Sequence, residues 1–183
     1  MKNNFINRKL LLSGDINYTT IFPIMQSIID INSEDEMIEK INKQYKRVPI
    51  QLFINSPGGN VYDGFALIDV IRASKTPVHT IALGSAMSMG MLIYCVGHKR
   101  FVGEYSTLMF HDVSSAIADK LEGIQDRIKE LKRIQAMICT IVTNHSEVPL
   151  EQLAIKLNQR DDWYISAEEA LQYKLAEDYF KNF

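Results

Sequence analysis

Val78-His79-Thr80-Ile81-Ala82-Leu83 runs through Gly84 into Ser85-Ala86-Met87-Ser88-Met89-Gly90. Pro77 opens this stretch, and its first six residues, four of them apolar, have the length of a strand. The small residues that follow, and the methionine-rich continuation, read as a buried helix starting near Ser88. A strand handing over directly to a helix is the unit of a layered α/β fold. The same join occurs upstream. Pro49 to Ile54 reads as a strand closed by Asn55-Ser56-Pro57-Gly58-Gly59, after which Val61, Phe65, Ile68 and Ile71 mark one helix face.

Towards the N-terminus, Lys9 to Leu12 reads as a first strand ending at Ser13-Gly14-Asp15. Phe22 to Ile31 has helical spacing, with Pro23 tolerable in its first turn. Ser33 and Glu36 form a capping-box pattern for a separate charged helix through about Tyr45. Downstream, a strand pair is expected around Arg100 to Val102 and Thr107 to Phe110. A long helix then spans roughly Ala116 to Thr143, its near-heptad face set by Leu121, Ile124, Ile128, Leu131, Ile138 and Val142. Pro149 starts a shorter helix to about Leu157, and Ser166 with Glu169 caps a last one to about Leu175. The alternation predicts α/β layering with crossover connections. No repeat, low-complexity tract or linker divides the chain, so residues 1–183 read as a single domain.

A domain of 183 residues can bury about 70% of its unfolded surface without disulfides or metals. The composition, 46% hydrophobic and 23% charged, excludes a disordered tail or linker. Lys plus Arg total 20 against 22 Asp plus Glu, a formal net charge of -2. No bulk attraction to nucleic acid or to an anionic membrane follows. Cys95 and Cys139 lie in apolar stretches without metal-ligand spacing, so both are expected as reduced core thiols, with no metal site. Met1 to Arg8 lacks the apolar core of a signal peptide, which makes the cytoplasm the expected compartment. Thr80 to Gly97 carries no charge and reaches the lower limit of a membrane span. Gly84, Ser85, Ser88 and Gly90 interrupt it, and no membrane helix is expected.

Two strand-to-helix joins offer chemistry. At Ser56-Pro57-Gly58-Gly59, paired glycines can aim backbone N–H groups into a cavity, which suits an oxyanion; a plain tight turn is the alternative. At the second join, a serine beside free helix N-terminal amides can act as a nucleophile or simply as a cap, and Ser85 reads as a cap. Ser88 has Ala86 where a Gly-x-Ser-x-Gly elbow has its first glycine. Of four histidines, His79, His98 and His145 read as structural or solvated. His111 ends the strand Leu108-Met109-Phe110 at the rim of a sheet, where a base could sit. Asp112, Asp161 and Asp162 are the candidate orienting carboxylates, although Asp112 on an extended chain would point away from His111.

Asn55-Ser56-Pro57-Gly58-Gly59, Ser88-Met89-Gly90, Met109-Phe110-His111 and Asp162-Trp163-Tyr164-Ile165-Ser166-Ala167 occur in the order and approximate spacing of the ClpP family. ClpP is the proteolytic subunit of the Clp protease, and the resemblance runs from Leu10 to about Asp178. It implies the crotonase-like ClpP fold, stacked units of two strands and a helix, with the long helix as a protruding handle. It implies a serine endopeptidase with Ser88 as nucleophile, His111 as general base and Asp162 as orienting acid. The oxyanion donors carried over are the backbone N–H groups of Gly59 and Met89. Substrate peptides would add beside a strand next to the handle. Copies of the chain would form one seven-membered ring or a stacked pair, fed by a separate ATP-hydrolysing AAA+ unfoldase. Nothing in the chain resembles a P-loop, so no cofactor is expected within it.

Departures from the family shape the expectation further. Only a few residues precede the first strand, where the family carries axial loops, so an ATP-independent or loosely coupled peptidase is expected. Asp112-Val113-Ser114-Ser115-Ala116 stands where the family usually has Gln-Pro and a glycine-rich loop. The family's arginine beside the triad aspartate is replaced by Asp161 and Trp163, with Arg160 one place further out. The charged stretch Ser33 to Arg47 is longer than usual. A divergent, paralogous or phage-type member is expected. The alternatives are a non-catalytic ring subunit, a viral capsid-maturation protease of the same fold, and an acyl-CoA hydratase or isomerase of the crotonase type, for which no acid/base carboxylates are evident.

Overall fold

The computed structural model describes residues 7–113, 120–159 and 161–182. Three strands carry most of the sheet: β1 (Lys9–Ser13), β2 (Ile50–Ser56) and β3 (Val78–Met87), parallel in the order β1-β2-β3. Helix α1 (Tyr18–Ile41) links the first two and α2 (Val61–Ala73) the second and third. After β3 come α3 (Met89–Cys95), β4 (Lys99–Val102) and β5 (Thr107–Phe110). The remainder is α4 (Leu121–Asn144), α5 (Leu150–Gln159), β6 (Trp163–Ser166), α6 (Ala167–Gln172) and β7 (Asp178–Tyr179). The expected α/β layering is present, and β7 is an element the sequence reading lacks.

β3 organises the site because it changes partners along its length. His79–Ala82 pair with Lys99–Val102 of β4, whereas Ser85–Met87 pair with Thr107–Met109 of β5. Strands β4 and β5 are therefore not a pair with each other, as expected, but successive neighbours of one strand. The change occurs at Gly84, whose φ of +78° suits a residue without a Cβ. Beyond it, the Ser85 N–H donates to the Asn55 side chain, and the chain continues extended to Met87 rather than ending at Leu83. β6 then pairs antiparallel with β5.

The two helices expected before β2 are one. Ile24, Ile28 and Ile31 are buried at helical spacing, and the next position on that face is Asp35, also buried. Its carboxylate is held by both Arg8 terminal nitrogens, at 3.0 and 2.6 Å, and by the Thr76 and Tyr45 hydroxyls, both at 2.6 Å. A paired, hydrogen-bonded carboxylate can continue a buried face where a lone one could not. Ser33 is thus not a cap; its hydroxyl donates to the Ile29 carbonyl. Asn17 caps the helix instead, accepting from the Thr19 and Thr20 N–H groups. Pro23 lies in the second turn.

The core gathers Leu12, Leu52, Ile54 and Ala82 from the sheet with Leu67, Ile68 and Ile71 of α2 and the whole of α3. On α4 the buried residues are Ile134, Ile138, Ile141 and Val142. Of the expected face, Ile138 and Val142 are buried, Ile124 and Leu131 are half-buried, and Ile128 is 42% exposed. Ser114, Ser115, Ala116 and Arg160 lie outside the described residues. Thr80 to Gly97 is the latter part of β3 and α3, and among the described residues no helix is long and apolar enough to cross a membrane.

Candidate active site

Ser88 sits between β3 and α3 with φ 52° and ψ -123°. A non-glycine residue in that region is strained and persists only where its surroundings impose it. Here the Ser88 N–H donates to the Met109 carbonyl of β5 at 2.8 Å, and its carbonyl accepts from Met91 and Leu92 of α3. The backbone is clamped from both sides, and the side chain makes no capping bond to its helix. Its Oγ instead lies 2.7 Å from His111 Nε2.

His111 follows the last residue of β5. Phe110 pairs with Trp163 in the antiparallel register, so one further step places His111 across from Asp162. Among the described residues the carboxylate in contact with the ring is that of Asp162, with Oδ1 3.4 Å from Nδ1. That separation suits electrostatic attraction and exceeds an ordinary hydrogen bond. The imidazole side chain is 31% exposed and the carboxylate 49%. The Tyr164 hydroxyl, two residues along β6, donates to Asp162 Oδ2 at 3.5 Å.

The glycine turn is fixed by Ile16. The Ile16 N–H donates to the Gly58 carbonyl and the Asn60 N–H donates to the Ile16 carbonyl, both at 2.8 Å. In such a parallel bridge the central residue, Gly59, turns its own N–H away from Ile16. Gly59 lines a cleft together with Ser88, Met89, His111, Val113 and Ile138. Ser56 braces the turn, donating to the Gly14 carbonyl and accepting from the Gly58 N–H. Met89 is the first residue of α3, where backbone N–H groups have no intrahelical acceptor. Its side chain is buried in a space that Gly64 leaves open: a Cβ on Gly64 would meet Met89 Cγ at 2.3 Å.

Of the five residues anticipated from sequence, Ser88, His111, Gly59 and Met89 line one cleft, and Asp162 stands beside it, against the far side of the His111 ring. The sequence reading missed Ile16 and Gly64, which act on them from remote segments, and gave no role to Tyr164, two residues from Asp162. The other histidines are engaged elsewhere. His98 Nδ1 accepts from the Val78 N–H, His145 Nδ1 bonds the Ile141 carbonyl, and His79 lies 5.9 Å from the Phe101 ring. Burial, with Lys99 adding a smaller effect, lowers the pKa of His79. Cys95 is buried, which pushes its thiol up to about 12, and Cys139 is half-buried; both are free. Among the described residues, no group of three His, Cys, Asp or Glu side chains converges as a metal site would require.

A model of the Clp protease family matches residues 7–182. The ATP-dependent Clp protease proteolytic subunit of Deinococcus radiodurans is 34% identical over 137 residues, 74% of this chain and 66% of its own length. That of Borreliella afzelii is 31% identical over 173 residues, 93% of this chain and 82% of its own. Subunit 2 of Treponema pallidum is 30% identical over 170 residues, 92% and 79% respectively.

Proposed function

The chain belongs to the Clp protease family, and on that premise we propose that it is a serine endopeptidase in which Ser88 attacks the peptide bonds of unfolded proteins or peptides. The 2.7 Å approach of Ser88 Oγ to His111 Nε2 carries this reading. As Oγ adds to the carbonyl carbon, His111 takes its proton, and the negative charge on the carbonyl oxygen is met by the N–H groups of Gly59 and Met89. The tetrahedral species collapses, the C–N bond breaks, and His111 returns the proton to the leaving amine. Water then releases the acyl group from Ser88 by the same steps in reverse order. Asp162 holds the imidazole tautomer and stabilises the imidazolium.

The active form is a ring of one catalytic domain per subunit, a heptamer or a stacked pair of heptamers, in the cytoplasm. Ile128, exposed on the apolar face of α4, supports burial against another copy. The relatives are named as ATP-dependent. With no P-loop in this chain, ATP would be hydrolysed by a separate unfoldase.

Cleavage of an unstructured peptide, followed on material of measured native mass, tests the proposal. Wild type should cleave as a ring, and Ser88→Ala should form the same ring without cleaving. Cleavage retained in that variant would remove Ser88 from the mechanism.

A further inference from the structure

His111 lies one residue beyond β5, and residues 111–113 belong to no regular element. The ring itself contacts Ser88 Oγ and a half-exposed carboxylate at 3.4 Å. Two residues further on, the Val113 N–H donates to Gln135 Oε1 at 2.9 Å. Gln135 Nε2 reaches Cys139 Sγ, one turn along the same helix, at 3.7 Å. On α4, Gln135 is flanked by Ile134 and Ile138, which are 3% and 6% exposed, so the helix is fixed to the core at this level. Val113 also lines the cleft beside Ser88.

We propose that Gln135 is a positioning residue that holds His111 in register with Ser88 through the Val113 N–H. The inference rests on the catalytic reading of Ser88 and His111. One end of the His111 segment is anchored by β5, and at the other the Val113 side chain packs on the core while its N–H is fixed by this bond to the best-packed part of α4. Without the acceptor, Val113 keeps its side-chain packing against the core but loses the directional bond that sets the backbone of residues 111–113. His111 then spends less time with Nε2 directed at Oγ, and activation of Ser88 slows although no group touching the substrate has changed. The net worth of a neutral hydrogen bond corresponds to roughly a three- to tenfold effect.

The test is the rate at which a fluorophosphonate labels Ser88, read beside thermal unfolding and the kcat of a short peptide. Gln135→Leu should slow labelling and lower kcat by that same factor, while Gln135→Glu, which keeps an acceptor, should restore both. Val113→Pro removes the donor, and Gln135→Leu should add nothing in that background. Unchanged labelling in a folded Gln135→Leu protein, or equal slowing in the proline background, would overturn the inference. If Gln135→Leu does not fold, Val113→Pro alone must slow labelling, and an unchanged rate overturns the inference equally. A wild-type protein that carries no label at Ser88 defeats the catalytic reading and this inference together; a labelled wild type with an indifferent Gln135→Leu defeats the inference alone.

Discussion

Gly58 passes so close to Ser88 that a Cβ on the glycine would lie 2.7 Å from the serine Cβ and 3.0 Å from the Met87 carbonyl oxygen. Its φ of +108° is also one that a side chain resists. Gly58→Ala should therefore displace Ser88 and the turn that carries the Gly59 N–H, with a loss of turnover on the order of 10² and a stability cost of about 1–3 kcal/mol. Gly14 also has positive φ, but a Cβ there meets nothing within 4 Å. Gly14→Ala should cost stability and leave peptide turnover close to wild type. Turnover measured on both variants separates displacement of Ser88 from backbone strain alone.

Asp162 stands 3.4 Å from the imidazole and half in water, so solvent screens part of its effect. Asp162→Asn should lower kcat by roughly 10², less than removal of a fully buried triad carboxylate, which costs about 10⁴. KM for a short peptide should hold. A kcat equal to wild type would show that His111 is oriented without Asp162.

Burial alone would raise the pKa of Asp35, but hydrogen bonds from Arg8, Thr76 and Tyr45 and the charge of Arg8 outweigh it and bring the value down to about 2. A depressed carboxylate stabilises the fold in full above its unfolded pKa near 4 and loses that contribution as pH falls towards 2. The contribution is about 2 kcal/mol. Urea unfolding between pH 4 and pH 2 should show this loss in wild type, and its share of the pH dependence should vanish in Asp35→Asn. At pH 7 that variant should be less stable by about 2–3 kcal/mol, since it removes the charge-assisted hydrogen bonds of Arg8 to Asp35 and leaves Arg8 facing Glu34 at 3.9 Å.

Helix α1 provides a comparison of two residues with capping chemistry. Asn17 accepts two backbone N–H groups, whereas Ser33 lies in mid-helix and bonds only backward. Asn17→Ala should cost about 1 kcal/mol and Ser33→Ala less than about 0.5 kcal/mol. Chemical denaturation of the two variants decides it, and the reverse order would contradict the single-helix description.

Local pattern was legible where the cause was local. The Ser166 and Glu169 capping box, the strand Thr107–Phe110 and the two strand-to-helix joins all appear where residue type alone predicts them. The failures arise where a distant residue decides. The break expected before Ser33 is bridged because Arg8 neutralises Asp35, and β4 and β5 are separated because Gly84 bends β3 between them. The candidate site follows the same division. The residues offer Ser88, His111 and three aspartates as candidates and the family resemblance selects Ser88, His111 and Asp162, but the bridge of Ile16 to Gly59 and the room that Gly64 leaves for Met89 are contacts between remote segments, and no local pattern encodes them.

Peptide mapping of the protein after treatment with a fluorophosphonate reads out most directly whether Ser88 is the nucleophile and His111 its base. One adduct is expected, on Ser88, absent from Ser88→Ala and formed far more slowly in His111→Ala. An adduct on Ser85 or elsewhere, or labelling of Ser88 at an unchanged rate without His111, would contradict that assignment.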